Sequence, residues 1–292
     1  MAHATIQARG VDFAYLQRGP DDGPLALVLH GFPDSPVGLE VILDALGGTG
    51  YHAVAPWLRG FAPTSLAPDG DYHVGSLAAD ANALHEALGG DGRAVIIGHD
   101  WGASAVYPAI TSDPERWRRG AAMAVPPMAA LLSAMGRYTQ MRRSWYMFLF
   151  QTPLAEGAVA ADDMNFVDRL WEEWSPGLSK DSSHHAIAAA KEALRRPENL
   201  AAALGYYRAA FSGAPADPAA ARAQEVIFAT PPVPVCYLHG EDDGCVGIAD
   251  IGDPTMLLAP GSRFVPVPDA GHFLHLEQPR AVIEPLLEFL DA

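Results

Sequence analysis

The chain has 292 residues, 49% of them hydrophobic and 18% charged, with 35 acidic against 19 basic side chains and a formal net charge of −16. That composition is globular, and the length allows a large core in one large domain or two modest ones. The negative balance argues against nucleic acid and against an anionic membrane surface, which clustered Lys and Arg would have to meet, and reads as a solubility feature.

Met1–Gly10 has no positive region followed by an apolar stretch, so no signal peptide is expected. Val11–Gln17 alternates as an edge strand does, and Gly19, Pro20 and Gly23 mark a turn. Leu25–Leu29 is continuously apolar, the pattern of a strand buried on both faces. Ser76–Leu88 has helical spacing and stops at Gly89-Gly90. Arg93–Gly98 reads as a second buried strand running into a helix at Trp101–Ile110, and a third strand fits Ala121–Val125 before Pro126-Pro127.

From Met128 to about Phe228 the chain reads as helical, with no convincing strand, and Ser212–Ala223 is Ala/Pro-rich like a loop. The run Trp145–Phe150 is too short to span a bilayer, so no stable membrane insertion is expected. Strand patterns resume at Val233–Leu238 and Arg263–Val267, and Ala281–Leu290 closes as an apolar-faced helix. Cys236 and Cys245 lie too close in sequence for a bridge to stabilise much, so a reduced, cytoplasmic setting is expected. Strands alternating with helices imply a mostly parallel sheet covered on both faces, made by residues 1–127 and 229–292. The helical block, 128–228, is expected to cap the edge at which such sheets bind ligands.

Gly98-His99-Asp100-Trp101-Gly102 lies between a buried strand and a helix. This is the small-x-nucleophile-x-small turn of the α/β-hydrolase elbow, with a carboxylate at its centre where most such folds carry serine. The competing reading makes Asp100 a helix N-cap. His272, in Asp269-Ala-Gly-His-Phe273, stands where the base belongs. Asp243 stands where its orienting acid belongs, with Asp242 and Glu241 as fallbacks. Nucleophile, acid and base thus follow the chain order of that fold. Two backbone N–H groups, of Trp101 and of Phe32 in His30-Gly-Phe-Pro33, are the expected oxyanion donors.

Through His30-Gly-Phe-Pro33, Arg59-Gly-Phe61, Gly98–Gly102, Asp243 and Gly271-His272, the chain resembles the epoxide hydrolase and haloalkane dehalogenase branch of the α/β-hydrolase superfamily. The likeness runs over essentially the whole length. It departs at Asp34-Ser-Pro-Val, where a tryptophan often follows, and around Trp57, where an aspartate often precedes the Arg-Gly pair. Both departures are expected to affect local packing alone.

The resemblance implies an aspartyl ester formed at Asp100 and hydrolysed by water that His272 activates. It also implies two cap tyrosines on the epoxide oxygen. Tyr146, before a Gln-x-Pro segment, and Tyr207, directly before an arginine, fit that pattern, whereas Tyr138 and Tyr206 read as core. The expected ligands are a small apolar epoxide and water, with a vicinal diol as product. Hydrolytic dehalogenation is the alternative, because Trp101 holds the halide-binding position and Trp145, Trp171 and Trp174 lie in the cap. Phe32 counts against it, standing where Asn or an acidic residue is common. A non-catalytic binding protein that kept the fold is the third reading.

No Gly-x-Gly-x-x-Gly, phosphate loop or His-Glu-x-x-His occurs, and neither cofactor nor metal is expected. His272 and His275 have a metal-like spacing, but the base role is the better one for His272. His184-His185 and Arg142-Arg143 read as solvated.

Overall fold

The computed structural model describes residues 3–213, 215 and 217–292, with positions 180–182 described by backbone alone. Among them lie strands β1 (Ala4–Ala8), β2 (Val11–Arg18), β3 (Leu25–Leu29), β4 (His52–Pro56), β5 (Val95–His99), β6 (Arg119–Met123), β7 (Val235–Gly240) and β8 (Arg263–Val267). They form one sheet in the order β1-β2-β4-β3-β5-β6-β7-β8. The pairs β1–β2 and β2–β4 are antiparallel, and every other pair is parallel. All five residues of β3 and all five of β5 are buried, as their unbroken apolar runs require. Each such Leu, Val or Ile contributes about 1.5–3 kcal/mol, so the middle of the sheet is its rigid part.

Helices α1 (Glu40–Gly48), α2 (Val74–Ala87) and α3 (Trp101–Ser112) alternate with the early strands. Between β6 and β7 the described residues are helical: α4 (Met128–Met135), α5 (Tyr138–Arg143), α6 (Trp145–Leu149), α7 (Ala155–Trp174), α8 (Lys180–Leu194), α9 (Pro197–Ala209) and α10 (Pro218–Glu225). The short α11 (Ile248–Ile251) and α12 (Leu274–Glu277) precede α13 (Pro279–Asp291). α13 buries Val282, Leu286, Phe289 and Leu290, one stripe of a 3.6-residue repeat, and packs with α1; α2 and α3 pack together. The fold is an α/β-hydrolase core, mostly parallel, with a large helical insertion. No helix among the described residues is long and apolar enough to cross a membrane.

Several local expectations are corrected. β2 is not the edge, because β1 covers it. The 212–223 segment is not all loop: Pro218–Glu225 is helical, capped by the Asp217 side chain on the Ala220 N–H, while positions 214 and 216 lie outside the described residues. Met1 and Ala2, in the stretch read for a signal peptide, also lie outside them. Tyr138 is 75% exposed rather than core, whereas Tyr206 is buried and its hydroxyl donates to the Arg59 carbonyl at 2.8 Å. Arg142 and His184-His185 are exposed as expected, but Arg143 pairs with the buried Asp250 at 2.9 Å.

Candidate active site

The loops that follow β3, β5, β7 and β8 gather at the C-terminal edge of the parallel strands. β5 ends at His99 and α3 begins at Trp101, which leaves Asp100 in the turn at φ +54° and ψ −116°. A positive φ on a residue with a Cβ costs about 1–3 kcal/mol and is kept where the surroundings over-determine it. A Cβ on Gly102 would lie 2.2 Å from the Leu29 carbonyl oxygen, so only glycine lets α3 start this close to β3.

The Asp100 side chain makes no capping hydrogen bond to α3. Its Oδ1 instead accepts the Phe32 N–H at 2.7 Å. The N-cap reading therefore fails, and the carboxylate is turned toward the loop after β3. That loop is held by His30, whose Nε2 accepts the Leu58 N–H at 3.0 Å, so that Nδ1 carries the proton toward the Gly31 carbonyl at 2.8 Å. Burial lowers the His30 pKa to about 4, which keeps the ring neutral and this pattern intact. Trp101 is the first residue of α3, whose leading N–H groups have no intrahelical partner.

Across the edge, His272 places Nε2 3.6 Å from Asp100 Oδ2 and Nδ1 3.0 Å from Asp243 Oδ2. The other Asp243 oxygen, Oδ1, accepts the N–H groups of Cys245 at 2.7 Å and Val246 at 2.8 Å, so the acid is locked by its own loop. Asp242 and Glu241 are exposed on that loop. Burial disfavours the imidazolium, but Asp243 and Asp100 outweigh it and raise His272 to about 10. His99 Nε2 meets the His272 carbonyl at 2.9 Å, and burial drives the His99 pKa well down, so it serves as a neutral brace.

The insertion contributes the roof. Tyr146 and Tyr207 line one cavity with Asp100, Trp101 and Cys245, and their rings meet at right angles with centroids 5.6 Å apart. Tyr146 Oη lies 3.3 Å from Cys245 Sγ. Tyr207 Oη and Trp101 Nε1 are buried with no hydrogen-bond partner among the described residues. Burial lifts both phenols well above their ordinary range, so they remain protonated donors. The cavity holds about 210 Å³, with apolar walls that include Met128, Leu131, Met135 and Phe228. Larger hollows, such as one of about 600 Å³ beside Arg142 and Trp145, lie away from Asp100.

Of the cap tryptophans, Trp145 is 44% exposed, and Trp171 gives its Nε1–H to the Pro33 carbonyl at 2.8 Å. Trp174 packs edge-on against His272 at 5.0 Å.

Sequence reasoning missed two residues at this edge. Asp34 is fully buried, and neither of its carboxylate oxygens has a hydrogen-bond partner among the described residues. Burial, with repulsion from Asp100 added, pushes its carboxyl up to about 8. The departure at Asp34-Ser-Pro-Val thus reaches the electrostatics of the site as well as local packing. Its signal was an acid placed directly after His30-Gly-Phe-Pro33. Cys245 is the other; only its place two residues beyond Asp243 hinted at it.

The family described as "alpha/beta hydrolase fold" matches residues 24–279. The AB hydrolase superfamily protein YfhM of Bacillus subtilis is 27% identical, over 98% of this chain and 96% of its own length. Epoxide hydrolase A of Mycobacterium tuberculosis is 28% identical over 98% and 96%. The crystal structure of Epoxide Hydrolase A from Mycobacterium thermoresistibile superposes with a TM-score of 0.80 at 23% identity, covering 100% of this chain and 98% of that one, a likeness of fold. A family match over most of the chain, on a sheet edge that gathers Asp100, His272 and Asp243, places this protein in the alpha/beta hydrolase fold family.

Proposed function

We propose that the chain is an epoxide hydrolase that opens a compact, apolar epoxide to a vicinal diol. The observation that carries this reading is the pairing of two buried, protonated tyrosine hydroxyls, that of Tyr207 without a partner, with the Asp100 carboxylate in one apolar cavity. A buried hydroxyl left unpaired costs about 1–3 kcal/mol, which a ligand oxygen would recover. Relatives named as epoxide hydrolases support the same reading.

In this reading Tyr146 and Tyr207 hold the epoxide oxygen and protonate the alkoxide as the ring opens. Asp100 attacks a ring carbon through Oδ2, since Oδ1 is held by the Phe32 N–H. Esterification removes the charge of Asp100, so one of the two groups that keep His272 protonated disappears. The ring then gives up its proton, which restores the tyrosine hydroxyl spent on the alkoxide, and becomes the base that the second step needs. Water attacks the ester carbonyl, whose oxyanion forms on Oδ1 beneath the Phe32 and Trp101 N–H groups, while Asp243 holds the ring. The cavity is smaller than the roughly 300–1,000 Å³ of drug-sized pockets, which favours a compact epoxide.

The test is to mix His272→Gln with a panel of compact epoxides and record intact mass. An adduct on Asp100, absent from Asp100→Asn, is expected. If no epoxide leaves one, the mechanism is wrong.

Hydrolytic dehalogenation is the second reading, supported by the unpartnered, buried Trp101 Nε1 at the cavity wall. Halide release measured beside diol formation separates the two. We further assign residues 1–127 and 229–292 to the core and 128–228 to the cap. A cytoplasmic setting is supported by Cys236 and Cys245, both buried free thiols.

A further inference from the structure

Cys245 has no task in the chemistry above, yet it stands beside the reacting groups. Its Sγ, one carboxylate oxygen of Asp100 and one ring nitrogen of His272 lie within 4.8 Å of one another, and all three residues are buried. His272 Nε2, 3.6 Å from Asp100 Oδ2, is a buried nitrogen with no hydrogen-bond partner among the described residues. The loop aims Cys245 this way because its N–H is bonded to Asp243 Oδ1 at 2.7 Å. We propose that Asp100, Cys245 and His272 form a site for a thiophilic divalent cation, Zn²⁺ or Cd²⁺, whose binding shuts the hydrolase off. The loss of activity rests on the roles given to Asp100 and His272 above.

The donor set favours this class of ion. One thiolate, one imidazole and one carboxylate make a mixed S, N, O set that suits Zn²⁺ and its softer congener and offers little to Mg²⁺ or Ca²⁺, which take oxygen ligands. Metal–ligand bonds of about 2.0–2.3 Å in a tetrahedron separate the donor atoms by roughly 3.4–3.6 Å. The His272–Asp100 edge already has that length at 3.6 Å, and the sulfur needs a shift of no more than roughly 1.4 Å.

Asp243 on Nδ1 is the outer carboxylate that orients a metal-binding histidine. The fourth position opens to the cavity that Tyr146 and Tyr207 line, where water can complete the shell. Binding forms the sulfur–metal and nitrogen–metal bonds as the Cys245 thiol proton and the Nε2 proton of His272 both leave to the buffer, with nothing oxidised or reduced. It occupies the attacking carboxylate and the base nitrogen together, so both steps of the reaction stop.

The test titrates the intact protein with Cd²⁺ alone, following thiolate-to-metal charge-transfer absorption in the ultraviolet and diol formation in parallel. One equivalent should produce the band and abolish turnover, and a chelator should reverse both. Cys245→Ala should lose the band and need about tenfold more Cd²⁺ or above for half-inhibition, measured against its own uninhibited rate. Cys245→Ser, which keeps the size of the side chain, should behave alike and serves if the alanine variant folds poorly. Mg²⁺ should do nothing.

The proposal is overturned if the wild type shows no band, if the band survives in both variants, or if a full band leaves turnover untouched. Should no epoxide be turned over at all, the band still reports on the site, so failure of the functional reading and failure of this one are distinguishable.

Discussion

The backbone N–H of His272 donates to the carbonyl oxygen of Trp174 at 2.9 Å. Carbonyls in the last turn of a helix have no partner within it, and this one ends α7 in the cap. The same oxygen accepts the Gly244 N–H at 3.1 Å, next to Asp243. One turn back, Trp171 bonds the Pro33 carbonyl and stacks on Phe273 with ring centroids 3.5 Å apart. One helix end in the insertion thus pins the loops that carry His272, Asp243 and Phe32.

Trp171→Phe tests that pinning. It keeps the stacking and leaves the buried Pro33 carbonyl unpaired, so stability should fall by about 1–3 kcal/mol in urea unfolding. Ester hydrolysis, followed by single-turnover kinetics, should slow more than ester formation.

Tyr146→Phe and Tyr207→Phe should each slow ester formation from an epoxide by about 10²–10³-fold, as loss of one donor to a developing oxyanion does. Halide release from an alkyl halide should be spared. Stability should separate the two variants: Tyr207→Phe removes an unpaired hydroxyl and costs nothing, while Tyr146→Phe loses its contact with Cys245.

Asp34→Asn should change the pH dependence of stability. The Asp34 carboxyl sits near 8 when folded against an ordinary value of 3.8, so the folded state binds the extra proton between these limits. Stability of the native chain must therefore fall as pH rises across that window, and the asparagine variant should lack this part of the slope. Urea midpoints at about pH 5 and about pH 8 should show the variant gaining on the wild type at the higher value.

His272 should remain an imidazolium through neutral pH in the resting enzyme, because its pKa is raised to about 10. Its contribution to stability is complete below the unfolded value near 6.5 and is lost as pH climbs through about 10. Asp100→Asn removes one of the two supporting charges, so the ring should titrate lower. Nitrogen NMR of the histidine side chains reads this directly, and an unchanged titration would sink the idea that esterification makes the base.

Asp80→Ala should be among the most damaging changes remote from the cavity. Asp80 takes two hydrogen bonds from the fully buried Arg59, at 2.5 and 2.7 Å, and another from Arg9 at 2.6 Å. Arg59 would keep Asp69 at 3.2 Å and the Asp71 carbonyl, but loss of its two-oxygen partner in the interior should still cost about 3 kcal/mol. Arg59 also supplies the carbonyl that anchors Tyr206, so the placement of the neighbouring Tyr207 should suffer and epoxide turnover should fall with it.

What could be read in advance depended on whether a residue's role leaves a local mark. β3 and β5 are unbroken apolar runs, and the elbow between β5 and α3 declares itself through glycines on either side of Asp100. β4 is as deeply buried, but in His52-Ala-Val-Ala-Pro56 only Val54 is a branched apolar residue, so burial left no pattern. β1 is mostly exposed and exists by pairing with β2, a partner its own residues do not announce. Tyr138 has helical spacing yet points outward, because spacing gives a face but not what lies against it. Asp34 was the hardest: acids are rarely buried unpaired, and only the closing of the β3 and β8 loops around it creates that state.

The hydrogen bond from Phe32 to Asp100 makes the two carboxylate oxygens unequal, and the inequality has a consequence in time. In the proposed mechanism Oδ1 stays tethered, while the oxygen facing His272 departs in the diol and is replaced from water. Each product molecule then carries the oxygen that water delivered one cycle earlier. An enzyme working in this way runs one turnover in arrears, and its first product after a change of isotope should belong to the old solvent.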